Sequence, residues 1–124
     1  MSESSAETVR AFEAAWRAGD LPAVFALMTD DIFYHNMPRE PIRGLDAVKR
    51  YVDDYVARFG RLISVDWDIK HTAVNGNVVF VERISRLSWE NGRRTTCPIT
   101  GVFEVRDGKI AAWRDYFDKD TFDK

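Results

Sequence analysis

Cysteine is nearly absent from this sequence. Among 124 residues only Cys97 carries a thiol, which excludes an internal disulfide. Disulfides persist in oxidising compartments, so a single cysteine favours a cytoplasmic protein. A nucleophilic role would require a histidine base beside the thiol, and the positions of the two histidines do not indicate one. We therefore expect Cys97 to be a small, buried or half-buried side chain.

Long apolar runs and blocks of one charge are also lacking. No run approaches the ~20 apolar residues of a membrane span, and the opening MSESSAET has no apolar signal-peptide core. The net charge is −2, with both signs scattered along the chain, so the sequence has no basic footprint for nucleic acid. We expect neither a membrane nor a nucleic-acid partner.

The common cofactor and metal motifs are missing as well. The chain contains no GxGxxG, P-loop or GxSxG pattern and no HExxH or CxxC spacing. Each of these motifs sets specific ligands or a nucleophile at a fixed separation. We therefore expect no bound cofactor and no metal site.

Helical patterns occupy much of the first half of the chain. SSAETVRAFEAAWRAGD has apolar residues at helical spacing and ends at Gly19, and LDAVKRYVDDYVARFG does the same and ends at Gly60. Asp20 and Pro22 predict the start of a short helix that runs to about Met28. DIFYHNMP, from residue 31, predicts a strand, and PREPIRG a loop.

After Arg61 the apolar pattern changes to period two. Asn-Gly and Asp-Gly turns at 75–76, 91–92 and 107–108 separate four predicted strands of an antiparallel meander. In the first of these strands we expect Ile63, Val65, Trp67 and Ile69 to share one face. Pro98 predicts a bulge or an interruption in the third.

The order of these elements predicts one α+β domain over residues 1–124. A strongly curved antiparallel sheet with the N-terminal helices packed on its concave side would form a cone. The interior of such a cone is apolar and large enough for a small molecule.

Three predicted strands place polar side chains on their apolar faces. In FVERISRLSW, Arg83 and Ser85 alternate in phase with Val81 and Leu87. Arginine is rarely buried without a partner. The same alternation places Asp115 on one strand face with Trp113 and Phe117. It places Tyr34 and Asn36 on one face with Ile32.

An ion pair between Arg83 and Asp115 explains both charges, because a buried charge is tolerable mainly as part of a pair. With Tyr34 and Asn36 beside it, the carboxylate has the composition of a general base with a positioned water. A purely structural ion pair, completed by the tyrosine and the asparagine, fits the pattern equally well.

The segments that carry these side chains resemble a known family. YHNMP, VER, GVFEV, DGKI and WRDYFD, in this order and at these spacings, are similar to limonene-1,2-epoxide hydrolases, which belong to the wider NTF2-like, SnoaL-like superfamily. The resemblance covers nearly the whole chain. It implies a single NTF2-like domain: a cone of curved, mixed, mostly antiparallel sheet, with helices on its concave face, in a homodimer.

The resemblance also implies a cofactor-independent, one-step hydrolysis of a small apolar epoxide. By position, Asp115 is the base, Tyr34 and Asn36 hold the attacking water, and Arg83 bridges the base to a second aspartate that protonates the epoxide oxygen. That second aspartate belongs at position 85, where this chain has Ser85. Expected pocket-lining residues are Ile32, Val81, Leu87, Trp113 and Phe117.

Ser85 leaves the reaction open to alternatives. A serine donates a hydrogen bond but is no acid near neutral pH, and acid assistance is typically worth ~10²–10⁴-fold in rate. Glu104 is the nearest unassigned acid. The alternatives are a SnoaL-like cyclase or ketosteroid-isomerase-like proton transfer, with Asp115 as base, and a non-catalytic protein that binds a small apolar ligand.

Overall fold

The computed structural model describes residues 2–123. Its four helices are α1 (Ser2–Arg17), α2 (Leu21–Ala26), α3 (Leu45–Phe59) and α4 (Lys119–Asp123). Its six strands are β1 (Met28–Asn36), β2 (Ile42–Arg43), β3 (Leu62–Asn75), β4 (Val78–Trp89), β5 (Arg94–Arg106) and β6 (Lys109–Tyr116). Between residues 2 and 123, no helix combines the length and the apolar character that crossing a membrane requires.

The strands form one mixed sheet in the order β2-β1-β6-β5-β4-β3. β3 to β6 are the predicted meander, each strand antiparallel to the next. β1 lies parallel to β6, so the sheet is mixed, as the resemblance implied. The α+β class, the mixed sheet and the N-terminal helices are thus confirmed.

The segment between the two long helices differs from prediction. Asp20 caps α2 as expected, since its carboxylate accepts a hydrogen bond from the backbone N–H of Ala23 at 3.2 Å. The helix ends at Ala26, however, and β1 begins at Met28, before the predicted strand. Part of the predicted loop forms β2, which pairs with β1 through Tyr34 and Ile42.

The expectation for Pro98 is wrong, and the expectation for one face of β3 fails at Ile63. β5 is continuous through Pro98, which pairs with Ile84 on β4. On the other side of β5, β6 ends opposite Thr100. At Pro98, which has no backbone N–H, β5 therefore has no β6 partner that would need this donor. In β3 the register shifts between Leu62 and Ser64, and Ile63 is exposed, whereas Val65 and Trp67 are buried. Ile69 pairs with the inward-facing Arg83, yet it is 36% exposed.

α1 packs against the sheet through an aromatic core. Phe12 is fully buried, and its ring meets those of Trp67, Phe103 and Trp113 edge-on at centroid distances of 6.4, 6.1 and 5.1 Å. Offset and edge-on aromatic pairs add to the stabilisation from buried area. The helical spacing that predicts α1 therefore also delivers its central contact with the sheet.

Replacing Phe12 by alanine removes this contact. We expect Phe12→Ala to lower the free energy of unfolding by about 3–5 kcal/mol, because it leaves a cavity among aromatic rings. Urea denaturation followed by tryptophan fluorescence measures the change. Phe80→Ala, at a position 40% exposed, is the matched control and should cost less than about 1 kcal/mol. Equal losses in the two variants would contradict this view of the core.

Candidate active site

The inner face of β4 carries the polar residues that the sequence pattern singled out. Arg83 and Ser85 are 2% and 3% exposed, and they alternate with the exposed Glu82 and Arg86. Two tight turns fix the register of β4 between its neighbours, so the alternation in the sequence becomes an alternation of faces.

Arg83 and Asp115 form a buried ion pair. Nη2 of Arg83 donates to Oδ2 of Asp115 at 3.1 Å, and their side chains are 1% and 5% exposed. The other carboxylate oxygen, Oδ1, accepts a hydrogen bond of 2.7 Å from the indole N–H of Trp113. Each oxygen of the carboxylate therefore has a donor from the protein and keeps further lone pairs for a ligand.

Trp67 holds the guanidinium group from one side. The carbon Cζ of Arg83 lies 4.2 Å from the Trp67 ring centroid, a cation–π distance. Within the described part of the chain, the nitrogens Nε and Nη1 of Arg83 have no hydrogen-bond partner. The arginine is thus fixed by Trp67 and Asp115 while part of its donor capacity is unused.

Gly101 provides the space in which the ion pair lies. It sits on β5 opposite Val81 and Asp115. A Cβ atom at this position would approach Nη1 of Arg83 and Oδ1 of Asp115 to 2.7 Å each. Because that is closer than carbon packs against either atom, only glycine lets the pair rest directly on the sheet.

The parallel pairing of β1 and β6 brings the remaining predicted residues to the carboxylate. In this register Asn36 lies beside Asp115, and Tyr34 lies beside Trp113. The rings of Tyr34 and Trp113 are stacked at 4.5 Å. Asn36 is 8% exposed, and its side-chain nitrogen donates to the hydroxyl of Tyr51 at 3.2 Å.

The phenols near the carboxylate are held neutral. Burial raises the pKa of Tyr34 well above its usual value, and the neighbouring phenol of Tyr51 and carboxylate of Asp115 push it the same way. Burial likewise raises the pKa of Tyr51, as do its hydrogen bond to Tyr55 and that neighbouring phenol's charge. Both hydroxyls therefore remain hydrogen-bond donors over the physiological range.

These groups line one cavity, in which water-sized molecules can occupy a volume of ≈ 100 Å³. Its wall includes all five predicted catalytic side chains: Asp115, Arg83, Tyr34, Asn36 and Ser85. Of the expected lining residues, Leu87, Trp113 and Phe117 are present. Ile32 and Val81 are not on the wall; both are fully buried in the core, because their strands pass beneath the helices at those points.

Several wall residues were missed by sequence reasoning. Tyr51 and Tyr55, both on α3, were not among the predicted site residues, yet they line the cavity and Tyr51 contacts Asn36. Their hydroxyls, one turn apart on the helix face that also carries Val48 and Val52, were the available signal. Trp16, Trp67 and Trp89 also line the cavity, and nothing in their sequence context separates them from core tryptophans.

Glu104 does not take the place of an acid at position 85. Its carboxylate accepts a hydrogen bond of 2.6 Å from Arg114, and both residues are absent from the cavity wall. Over residues 4–121, Asp115 is the only carboxylate that lines the cavity. In the same region no group of three or more His, Cys, Asp or Glu side chains is placed to hold a metal ion.

Cys97 agrees with expectation. It is fully buried on β5, and burial raises the pKa of its thiol. It pairs with Ser85 across the sheet but does not line the cavity. The thiol is therefore unreactive by both access and ionisation.

The sequence and fold of this chain are similar to those of known proteins. Residues 3–124 match the sequence profile of the limonene-1,2-epoxide hydrolase catalytic domain. The chain belongs to this family. It is 33% identical over 127 residues to the epoxide hydrolase EphG of Mycobacterium tuberculosis (strain ATCC 25618 / H37Rv), covering 95% of this chain and 82% of the relative.

Solved structures show the same relationship. The structure of an M. tuberculosis LEH-like epoxide hydrolase superposes with a TM-score of 0.79 at 32% identity, over 98% of this chain and 89% of the other. A putative SnoaL-like polyketide cyclase from Jannaschia sp. CCS1 superposes with a TM-score of 0.76 at 17% identity, over 98% and 90%. The second similarity shows the NTF2-like fold alone. The family membership supports a hydrolase-type, epoxide hydrolase-like function.

Gly101→Ala tests the space beneath the ion pair. We expect the added methyl group to lower the free energy of unfolding by about 1–3 kcal/mol, because it forces Arg83 or Asp115 to move. Denaturant unfolding measures the loss, and a crystal structure of the variant locates the movement. Thr100→Ala, at the exposed neighbouring position, should change stability by less than about 1 kcal/mol. An unchanged Arg83–Asp115 contact with full stability would refute this role.

The neutral phenols predict a loss of stability in alkali. The unfolded chain ionises tyrosine near pH 10, whereas the folded chain keeps Tyr34 protonated to higher pH. Above about pH 10 the unfolded state therefore binds fewer protons, and the free energy of unfolding falls as pH rises. Urea denaturation between pH 9 and 11 should show a smaller fall for Tyr34→Phe than for the wild type. Identical slopes would count against the raised pKa.

Proposed function

We propose that this protein hydrolyses small apolar epoxides by direct addition of water, with Asp115 as the general base. The observation that carries the proposal is the position of its carboxylate on the cavity wall, held by Arg83 and Trp113. Two protein donors fix its orientation, and its remaining lone pairs are available to accept a proton from water.

Tyr34 and Asn36 are the groups that orient the attacking water. Asn36 neighbours Asp115 in the sheet register and uses its amide nitrogen on Tyr51, which leaves its amide oxygen as an acceptor. Tyr34 is a neutral hydroxyl on the same wall. A water that contacts these groups and Asp115 has both a fixed position and a proton acceptor, and such positioning accounts for a large part of catalysis.

The cavity supports an apolar substrate. Aromatic and aliphatic side chains from β1, β3, β4, β5, β6, α1 and α3 form most of its wall. Such a wall binds a hydrocarbon body by exclusion of water. The reaction consumes only the epoxide and water, so it is independent of any cofactor. The cytoplasmic location, expected from the single cysteine, and the homodimer, implied by the resemblance, stay predictions.

Ser85 favours a second candidate, a proton transfer of the kind catalysed by cyclases and ketosteroid isomerases. Such a reaction uses Asp115 to remove a carbon-bound proton and needs a neutral donor for the enolate oxygen. The hydroxyl of Ser85 on the same wall fits that donor. Epoxide hydrolysis is preferred, because the family match and the full set of Asp115, Arg83, Tyr34 and Asn36 point to it.

Incubation with cyclic and terpene epoxides in ¹⁸O-labelled water tests the proposal. We expect diols that carry one labelled oxygen from the first turnover, because water attacks carbon directly. An unlabelled first-turnover product would indicate an ester on Asp115 instead. Rearranged products without new oxygen would favour the proton-transfer candidate.

Asp115→Asn identifies the base in the same assay. We expect diol formation to fall by about 10²–10⁴-fold, because the amide cannot accept the proton from water. Glu104→Gln is the matched control, since it removes a carboxylate outside the cavity, and it should keep nearly full activity. Equal activity in the two variants would exclude Asp115 as the base.

A further inference from the structure

Arg83 has more hydrogen-bond donors than the protein uses. Its side chain is 1% exposed, and its interaction with Asp115 occupies Nη2. Its nitrogens Nε and Nη1 are buried and unpaired within residues 4–121. Buried donors of a charged group are almost always satisfied, since leaving them unpaired is costly. The unpaired nitrogens belong to a side chain on the cavity wall.

The guanidinium group has little freedom to move so that Nε and Nη1 find partners in the protein. Trp67 covers it at 4.2 Å, Asp115 holds Nη2, and Nη1 lies close above Gly101 on β5. A fixed charge with unused donors is a preorganised electrostatic site.

Ser85 adds a neutral donor to this site. It lies two positions after Arg83 on the same face of β4, is 3% exposed and lines the same cavity. An aspartate here would bring a second negative charge and would compete for the donors of Arg83. Serine adds no charge and does not compete for these donors. Both Arg83 and Ser85 can therefore stabilise the oxygen of a bound ligand.

We propose that Arg83 and Ser85 form an oxyanion site, which binds the oxygen released when the epoxide ring opens. Water attacks the ring carbon and transfers one proton to Asp115, while the carbon–oxygen bond breaks and its electrons remain on the oxygen. Arg83 and Ser85 stabilise this alkoxide. The alkoxide then takes a proton from solvent, and Asp115 loses its own, so the diol leaves and the enzyme is restored.

The magnitudes allow such a site to replace an acid. One oxyanion-hole donor is typically worth about 10²–10³-fold in rate, comparable to the ~10²–10⁴-fold of general acid catalysis. Arg83 then does more than orient Asp115, because it acts on the reacting oxygen itself.

This inference rests on the proposed function for the identity of the oxyanion, but its test needs no turnover. The probe is 4-nitrophenol, whose coloured phenolate places an anionic oxygen on an apolar ring. At the pH where the free phenol is half ionised, we expect the protein-bound phenol to be mostly phenolate, as measured by absorbance. Its neutral methyl ether, 4-nitroanisole, should bind at least about 10-fold more weakly.

Variants of position 85 locate the site. Ser85→Ala should weaken phenolate binding by roughly 3- to 10-fold, and Ser85→Thr should restore it because the hydroxyl returns. Ser85→Asp should abolish the preference for phenolate, since its carboxylate repels the anion and engages Arg83. These variants keep Arg83 paired with Asp115, whereas changing Arg83 itself endangers folding.

Arg86→Gln is the control, because Arg86 lies on the outer face of β4 near Asp66 and Asp68 and should not affect binding. A bound phenol no more ionised than free phenol, or a preference unaffected by Ser85→Asp, would overturn the oxyanion site. Tight phenolate binding without diol formation would retain the site and refute the epoxide reaction. Diol formation without phenolate binding would refute the oxyanion site and retain the epoxide reaction.

Discussion

The buried contact between Arg83 and Asp115 is the constraint on which the rest of the site depends. Two charges in an aromatic interior are stable only as neighbours with further hydrogen bonds. Trp67 covers the arginine, the Trp113 indole completes the carboxylate, and Gly101 leaves the space beneath them. These requirements come from three adjacent strands and from β3 at the edge, so the pair ties the chemistry of the site to the register of the sheet.

Sequence reasoning succeeded where the strand register is simple. Against β5, the register of β4 has no shift between Val79 and Ser88, and that of β6 has none between Ala112 and Asp115. Parity therefore identified Arg83, Ser85 and Asp115 as inward residues. The resemblance added that some strands pair in parallel. That these strands are β1 and β6 is revealed by no local pattern, because the pairing depends on contacts between distant segments.

Its failures have equally physical causes. A register shift beside Ile63 accompanies the exposure of that residue, and a bulge is not visible in residue parity. Residue parity predicted that Ile32 and Val81 point inward, but not whether they lie in the core or on the cavity wall. Which of the two holds depends on how deeply α1 and α3 cover the sheet. The importance of Gly101 was hidden, since a residue without a side chain shows its role only through the neighbours that approach it.

The parallel pairing of β1 with β6 also has a kinetic consequence. Asn36 and Asp115 lie side by side although roughly 80 residues separate them, and closing so long a loop costs chain entropy before any contact compensates for it. Topologies rich in such distant pairings fold slowly. The meander of β3 to β6 can form from neighbours in the sequence, whereas the cavity wall is complete only when the beginning of the chain docks beside its end. A partly folded chain in which only the meander has formed therefore holds its carboxylate and its arginine without the tyrosine and asparagine that complete the wall.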